Sequence, residues 1–322
     1  MNIEDYREDF LGYLNEKVQL KEPVNLYKPV KYILEIGGKR LRPILALMIC
    51  DLFGGDSKKA LDAALAVEVF HNFTLVHDDI MDSAPIRRGK ETVHKKWDEN
   101  TGILSGDAML IMAYQCIENY EPELFKKLIL LLSKTALEVC EGQQWDIDFE
   151  TRNDVSIDDY IEMITNKTSV LIGAAMQMGA MIANASERET EAIYNFGLNL
   201  GLAFQLQDDY LDTFGNAETF GKQIGGDIIE NKKTFLYLKA MNICNINDRE
   251  NLLELYNSSI GDTLKVNAVT QLFLRNSIDK LTKKKILEYT NKAFEDLETL
   301  TISIDKKAVL KEFGLSLMKR SI

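Results

Sequence analysis

Residues 78–82 read Asp-Asp-Ile-Met-Asp, and residues 208–212 read Asp-Asp-Tyr-Leu-Asp. We call these the first and second aspartate motifs. Apolar residues flank both, such as Phe73 and Val76 before the first. Carboxylates four residues apart share one face of a helix, which pairs the first and last aspartate of each motif. The pattern therefore predicts two apolar helices, each with an acidic stripe.

Aspartates stacked on a helix repel one another and are costly to bury, and a bound cation removes that cost. Oxygen ligands suit a hard ion such as Mg²⁺, which completes its shell with water and substrate phosphate. Two such motifs predict several Mg²⁺ ions that clamp a diphosphate and neutralise it as it leaves. A solvated acidic helix face would explain one motif, but it explains two with apolar flanks poorly.

Glycine-rich segments that carry lysine or arginine accompany both motifs. Residues 37–43 read Gly-Gly-Lys-Arg-Leu-Arg-Pro, and Arg87-Arg88-Gly89 follows the first motif. Residues 221–227 read Gly-Lys-Gln-Ile-Gly-Gly-Asp, and Lys232-Lys233 comes soon after. Such loops suit phosphate contacts, although each alone is also typical of a solvated surface. Together they predict two diphosphates, one held through Mg²⁺ and one held directly by lysine and arginine.

Helical periodicity dominates the 322 residues, of which 46% are hydrophobic. None of the five prolines follows Pro122, which permits long helices in the remaining chain. Helices are predicted over several segments, which include 30–34, 41–52, 58–81, 123–141, 157–184 and 187–213. No linker composition divides the chain. The sequence predicts one all-α domain over residues 1–322.

The formal net charge of −12 makes nucleic acid an unsuitable partner. Four widely spaced cysteines match neither a zinc site nor a compact disulfide framework. The first ten residues lack an apolar signal core, and the most apolar stretch, 169–185, is short for a membrane span. We therefore expect a cytoplasmic protein without a membrane span.

In combination, these motifs resemble those of the trans-isoprenyl diphosphate synthases, the polyprenyl synthetase family. The resemblance covers residues 30–235 in consistent order and includes Gly-Asp at 106–107 and Lys-Thr at 167–168. It implies an all-α bundle of about ten or more helices around a deep central cavity, usually as a homodimer. It also implies condensation of isopentenyl diphosphate with an allylic diphosphate through ionisation, attack and loss of a proton.

The resemblance implies roles for individual residues, carried over by motif position. Mg²⁺, as three ions bound with the diphosphate, would be held by Asp78, Asp82, Asp208 and Asp212. Isopentenyl diphosphate would be bound by Lys39, Arg42, His71 and Arg88. The allylic diphosphate or its departing group would be held by Arg87, Lys167, Thr168, Gln205, Lys222 and Lys232. The carbonyl of Lys167 or Thr168 and the side chain of Gln205 would face the allylic cation.

The length of the product is expected to depend on the residues before the first motif. Phe73 lies five residues before Asp78, a separation of about 7.5 Å along a helix. A bulky ring there, with Thr74 beside it, resembles synthases of the geranylgeranyl type. We therefore expect a C20 product, with C15 as the second choice. The alternative is that Phe73 is an ordinary core residue.

Three other functions fit the sequence less well. A ferritin-like di-iron site would use Glu68 with His71 and Glu91 with His94, but the second pair follows a basic, glycine-broken segment. A class I terpene cyclase would not need the cations of residues 37–43. A non-catalytic regulatory subunit would not need both aspartate motifs. The sequence assigns no role to the segment 142–146, Gly-Gln-Gln-Trp-Asp.

Overall fold

The protein is described here by a computed structural model that covers residues 3–216, 224–258 and 260–318, and these are almost entirely helical. The α-helices are α1 (Ile3–Lys17), α2 (Val24–Glu35), α3 (Leu41–Leu52), α4 (Leu61–Met81), α5 (Val93–Lys96), α6 (Glu99–Gln115), α7 (Pro122–Thr151), α8 (Ile157–Ile164), α9 (Val170–Ile182), α10 (Glu187–Phe214), α11 (Gly226–Ile229), α12 (Phe235–Ile243), α13 (Ile246–Asn257), α14 (Asp262–Arg275), α15 (Ile278–Glu298) and α16 (Ile304–Met318). A 3₁₀ turn, Ser57–Ala60, precedes α4, and β1 (Ile86–Arg87) pairs antiparallel with β2 (Lys90–Glu91).

The all-α prediction is confirmed, and the proline-free part of the chain does form long helices. Helix α7 has 30 residues and α10 has 28. Local signals fix several helix starts: Ser156 and Asp159 form a capping box before α8, and Asn245 accepts the amide of Asp248 before α13. Within the described ranges, no helix has the length and apolar character needed to cross a membrane.

The predicted helix over 157–184 is interrupted. Helix α8 ends at Ile164, and a π-helical turn, Thr165–Ser169, separates it from α9. The hydroxyl of Thr165 donates to the carbonyl oxygen of Ile161 at 2.6 Å, so a side chain competes for a helical acceptor there. Periodicity alone did not predict this turn, which carries Lys167 and Thr168.

The chain forms two compact units. The first comprises Met1–Lys134 and Ala174–Glu191. Its core surrounds α4, which packs against α3 and α6. Helix α3 buries every residue from Pro43 to Cys50. Close packing of α4 on α6 depends on Gly106, where an added Cβ would overlap the ring of His77. This packing fixes the end of α4, which carries the first aspartate motif.

The second unit comprises Thr135–Gly173 and Ala192–Ile322. Its core contains Leu206 of α10, Leu236 of α12 and Leu272 of α14, all fully buried. The polar residues of the second aspartate motif therefore lie on a helix whose other face is embedded in apolar side chains. The single domain over residues 1–322 and its central cavity stay predictions.

Candidate active site

The first aspartate motif lies at the carboxyl end of α4. Asp78 is in the last turn, and Asp82 is the C-cap residue. The amide of Asp82 donates to the carbonyl oxygen of Asp78 at 2.9 Å, which preserves the one-turn separation that the sequence predicts. Asp82 is exposed and Asp78 is half-buried. The helix end thus presents these two carboxylates differently from Asp79, which is 1% exposed.

Asp79 and Arg87 form a close ion pair within the first unit. The Nε of Arg87 donates to both carboxylate oxygens of Asp79, at 2.8 and 2.9 Å, and its Nη2 lies 2.8 Å from Oδ1. Arg87 lies on β1, so the pair ties the hairpin to α4. These contacts show that Asp79 orients Arg87, a predicted substrate-binding residue.

Arg88 rests on the glycine loop before α3. Its guanidinium donates to the carbonyl oxygen of Gly37. An added Cβ on Gly38 would lie 2.7 Å from Arg88 Nη1, and the φ of +131° at Gly38 also favours glycine. Lys39, the next residue, is exposed. The glycines therefore bring Arg88 and the loop of Lys39 together.

The two arginines of residues 37–43 have different surroundings. Arg40 is 4% exposed, pairs with the carboxylate of Glu68 and donates to the carbonyl oxygen of Leu34, so it stabilises the loop from inside. Arg42 instead lies beside His71, with 3.3 Å between its Nη1 and His71 Nε2. Arg40 is thus held by structural contacts, and the binding of substrate by Arg42 stays a prediction.

Charge and burial keep His71 neutral. Burial, followed by the charges of Arg42 and Arg88, holds the pKa of His71 well below its usual range. Burial also lowers the pKa of Arg42, to about 10, so Arg42 stays protonated at neutral pH. A cation beside an uncharged imidazole is suited to binding a diphosphate through one charge and one neutral hydrogen bond.

The second aspartate motif lies in the last turns of α10, within the second unit. Asp208 is half-buried, whereas Asp209 and Asp212 are buried. The carboxylate of Asp212 accepts the amide of Asp227 at 3.1 Å, and its carbonyl oxygen accepts the amide of Gly225 at 2.6 Å. Asp212 thus anchors the start of α11.

A chain of hydrogen bonds orients Gln205. Thr168 Oγ1 donates to Gln205 Oε1 at 3.3 Å, and Gln205 Nε2 donates to Asp209 Oδ1 at 3.1 Å. The hydroxyl of Tyr160 also donates to Asp209. Burial, followed by the charge of Asp227, raises the pKa of Asp209 well above its usual range. Asp209 is buried, and the hydrogen bond that it accepts from Gln205 Nε2 fixes the orientation of the Gln205 amide.

A cavity of about 120 Å³ in the second unit brings four of the predicted residues together. They are Lys167, Thr168, Gln205 and Lys232. Acidic residues share the lining, namely Asp146, Glu150, Asp209 and Asp227. The mixture of cations, carboxylates and amide suits a site for a diphosphate that arrives with metal ions.

Lys167 and Lys232 of this cavity each have an acidic partner. The ammonium of Lys167 donates to Asp146. Lys232 lies 2.7 Å from Glu230 and 3.9 Å from Asp227. Burial alone would lower the pKa of Lys232, but the hydrogen bond to Glu230 and the nearby carboxylates outweigh it and raise that pKa. The ammonium of Lys232 is therefore charged.

Sequence reasoning missed several residues that shape this cavity. Asp146 lies in the segment 142–146, to which the sequence assigned no role. Lys233, adjacent to Lys232, also lines the cavity, but its ammonium donates to the carbonyl oxygens of Phe149, Glu150 and Arg152 at the end of α7. Tyr160 gave no sequence signal because a single tyrosine on an amphipathic helix is common in cores.

The residues predicted to limit product length lie in the middle of α4. Phe73 is 8% exposed, and its ring lies 5.6 Å from Phe70 and 4.9 Å from His77. Thr74 donates its hydroxyl to the carbonyl oxygen of His71 at 2.9 Å. Lys222, predicted to hold the allylic diphosphate, lies outside the described residues.

The aspartate oxygens fit a Mg²⁺ site that substrate completes. Within the part of the chain that the structure describes, no three or more His, Cys, Asp or Glu side chains are arranged to hold a metal by themselves. Mg²⁺ commonly uses one or two carboxylates and takes its other ligands from water and phosphate. Asp78, Asp82 and Asp208, which are not fully buried, have the chemistry that this arrangement requires.

A family model and individual known proteins point to the same family for this chain. The polyprenyl synthetase family matches residues 23–273. A short chain isoprenyl diphosphate synthase of Methanothermobacter thermautotrophicus is 37% identical over 92% of this chain and 91% of its own length. A geranylgeranyl diphosphate synthase of Methanosarcina mazei is 42% identical over 70% of this chain and 71% of its own.

A solved structure extends the likeness to three dimensions. The crystal structure of a geranylgeranyl pyrophosphate synthase superposes with a TM-score of 0.96 and 53% sequence identity, and it covers 100% of both chains. Matches of this extent show a common fold and a common family rather than a shared motif. The chain belongs to the polyprenyl synthetase family of prenyltransferases.

Proposed function

We propose that this enzyme condenses isopentenyl diphosphate with allylic diphosphates, in the presence of Mg²⁺, to a short all-trans prenyl diphosphate, chiefly C20. The observation that carries the proposal is the cavity in which Lys167, Thr168, Gln205 and Lys232 meet. The similar geranylgeranyl diphosphate synthases support the product length.

Isopentenyl diphosphate is assigned to the cations of the first unit. Arg42 stays charged beside a neutral His71, and Arg88 rests on the glycine loop that carries Lys39. These groups offer strong charge-assisted hydrogen bonds to a diphosphate. In the proposed mechanism they hold this substrate while its double bond attacks the allylic cation, and the diphosphate released from the allylic substrate accepts the proton that the product then loses.

The allylic diphosphate is assigned to Arg87, Lys167, Lys222 and Lys232. Three Mg²⁺ ions, which Asp78, Asp82, Asp208 and Asp212 would hold, neutralise charge on the departing diphosphate when bound. The lysines of the cavity stabilise the same charge as it develops, which is the main catalytic term in such reactions. The oriented oxygen of Gln205 and the carbonyl of Lys167 or Thr168 stabilise the cation.

Product length is assigned to Phe73, with Thr74 beside it. Phe73 packs between Phe70 and His77 on α4, so its ring position is well defined. Replacing Phe73 by alanine is expected to lengthen the product beyond C20, and Thr74→Ala, which removes much less volume, is expected to lengthen it less. An unchanged product spectrum by chromatography would remove Phe73 as the length determinant.

The direct test is an incubation of the pure protein with isopentenyl diphosphate and each of the C5, C10 and C15 allylic diphosphates. Mass spectrometry of the products, with Mg²⁺ and with a chelator, measures both reaction and length. We expect a Mg²⁺-dependent C20 product. Accumulation of C15 would retain the reaction and overturn the length assignment, and no product in any mixture would overturn the reaction.

A homodimer and a cytoplasmic location complete the proposal. Helix α6 exposes Ile103, Leu104 and Ile111, and this apolar face suits contact with a second copy of the chain. Light scattering after size exclusion is expected to give twice the chain mass of 36.6 kDa. A monomer at micromolar concentration would contradict the dimer without affecting the reaction.

A further inference from the structure

A glycine of α7, Gly142, lies against the π-helical turn that carries Lys167 and Thr168. An added Cβ on Gly142 would overlap the amide nitrogen of Lys167 and lie 2.8 Å from both Lys167 Cα and the carbonyl carbon of Asn166. These are main-chain atoms, and they cannot rotate away as the end of a long side chain can. Glycine at 142 is therefore required for this approach of α7 to the turn.

A second glycine approaches the same turn from α10. An added Cβ on Gly201 would lie 2.9 Å from Ser169 Cα and 3.0 Å from Ser169 Cβ. Gly201 stands one turn before Gln205, which hydrogen-bonds Thr168. Two glycines on different helices thus set where the turn lies, and π-helical turns are frequent at functional sites.

Helix α7 also holds the side chain of Lys167. Asp146 stands one helical turn after Gly142 and accepts a hydrogen bond from the ammonium of Lys167. One turn of α7 therefore contacts Lys167 at both its backbone and its charged end. These contacts give the segment 142–146 a physical purpose that its sequence alone did not reveal.

We propose that Gly142 is a positioning residue for prenyl transfer, because it sets the main chain of Asn166 and Lys167 and thereby places the groups of Lys167 and Thr168. The inference rests on the proposed role of those two residues toward the allylic substrate. A displacement of about 1 Å can lower the rate of a positioned reaction about 100-fold. A Cβ at residue 142 must move the turn, the helix or both by a few tenths of an ångström or more.

The test compares Gly142→Ala with Gly179→Ala. Gly179 makes an equally tight helix contact, where an added Cβ would overlap the carbonyl oxygen of Ala46, but it lies in the first unit. Both variants are expected to lower Tm. Per folded protein, Gly142→Ala is expected to lower kcat by about 10- to 100-fold with an unchanged KM for isopentenyl diphosphate, whereas Gly179→Ala retains the wild-type kcat.

Two further variants keep the test decisive. Gly201→Ala makes a milder contact with the same turn, so it replaces Gly142→Ala if that variant does not fold, and it should show the same separation of kcat from KM. Lys167→Ala checks the underlying role. Wild-type kcat in Lys167→Ala would overturn the assignment of Lys167. A low kcat in Lys167→Ala, together with wild-type kcat in the folded glycine variants, would overturn the role of Gly142 alone.

Discussion

The two aspartate motifs share a spacing and differ in their surroundings. In the first, Asp82 is exposed at the end of α4; in the second, the corresponding Asp212 is buried and accepts the amide of Asp227. The middle aspartates differ as well, since Asp79 pairs with a guanidinium and Asp209 accepts hydrogen bonds from neutral donors. A motif therefore specifies which carboxylates share a helix face but not what else each carboxylate does.

The different surroundings of the two motifs give different roles to aspartates that occupy the same motif position. The first aspartate of each motif is half-buried and is assigned to Mg²⁺ in both. The last aspartate is exposed at the end of α4, whereas in α10 it is buried and stabilises the turn that begins α11. Substitutions at the first positions should therefore have similar effects, and substitutions at the last positions should not.

The largest expected effect is the loss of activity on substitution of the first aspartate of each motif. Asp78→Asn and Asp208→Asn each remove one ligand charge while keeping shape, so each is expected to lower kcat/KM by about 10²- to 10³-fold. Raising the Mg²⁺ concentration should restore part of the activity. Asp305→Asn, an exposed aspartate in the first turn of α16, is the control and should remain active. Equal activity in all three variants would contradict the assignment of both motifs.

A smaller effect, on stability, is expected to distinguish the last aspartates of the two motifs. Asp212→Ala leaves the amide of Asp227 without its acceptor, which is expected to cost about 1–3 kcal/mol in the free energy of unfolding. Asp82→Ala removes an exposed carboxylate, whose interactions water screens, and should lower that free energy by less than Asp212→Ala does. Urea unfolding measures both. Equal losses of stability would mean that the burial of Asp212 does not determine its role.

The helical fold and the grouping of charged residues could be predicted because they depend on local patterns. The 3.6-residue periodicity identified α4 and α10, and the glycine-rich segments identified the cations. Periodicity did not predict the π-helical turn, and the glycines that lie against it, Gly142 and Gly201, are distant from it in sequence. Helix α2 was predicted too short, over 30–34, whereas it spans Val24–Glu35 and contains Pro29.

The sequence also did not predict which of two neighbouring charged residues has a structural partner. Arg40 and Arg42 are two residues apart, yet one is paired inside the protein with Glu68 and the other lies beside His71. Lys232 and Lys233 are adjacent, and only the second is bound to the carbonyl oxygens that end α7. Which charge is structural depends on what lies opposite in space, and one sequence does not contain that information.

The smallest expected effect is that of His71 on how the free energy of unfolding changes with pH. All three histidines, His71, His77 and His94, belong to the first unit. Burial and nearby arginines hold the pKa of His71 well below its usual range, so the folded protein keeps this imidazole neutral while the unfolded chain binds a proton below about pH 6.5. Stability is therefore present above that pH and lost as the pH falls, by at most about 1.4 kcal/mol per pH unit for one such group.

His71→Gln removes this group but keeps a polar side chain. Its free energy of unfolding, measured in urea from about pH 8 to about pH 5, should fall less steeply with acid than that of the wild type. The difference between the two proteins at the upper pH gives the baseline, because His71 is neutral there in both the folded and the unfolded state. Parallel curves would mean that His71 binds its proton equally in both states, and the neutral imidazole beside Arg42 would then have to be abandoned.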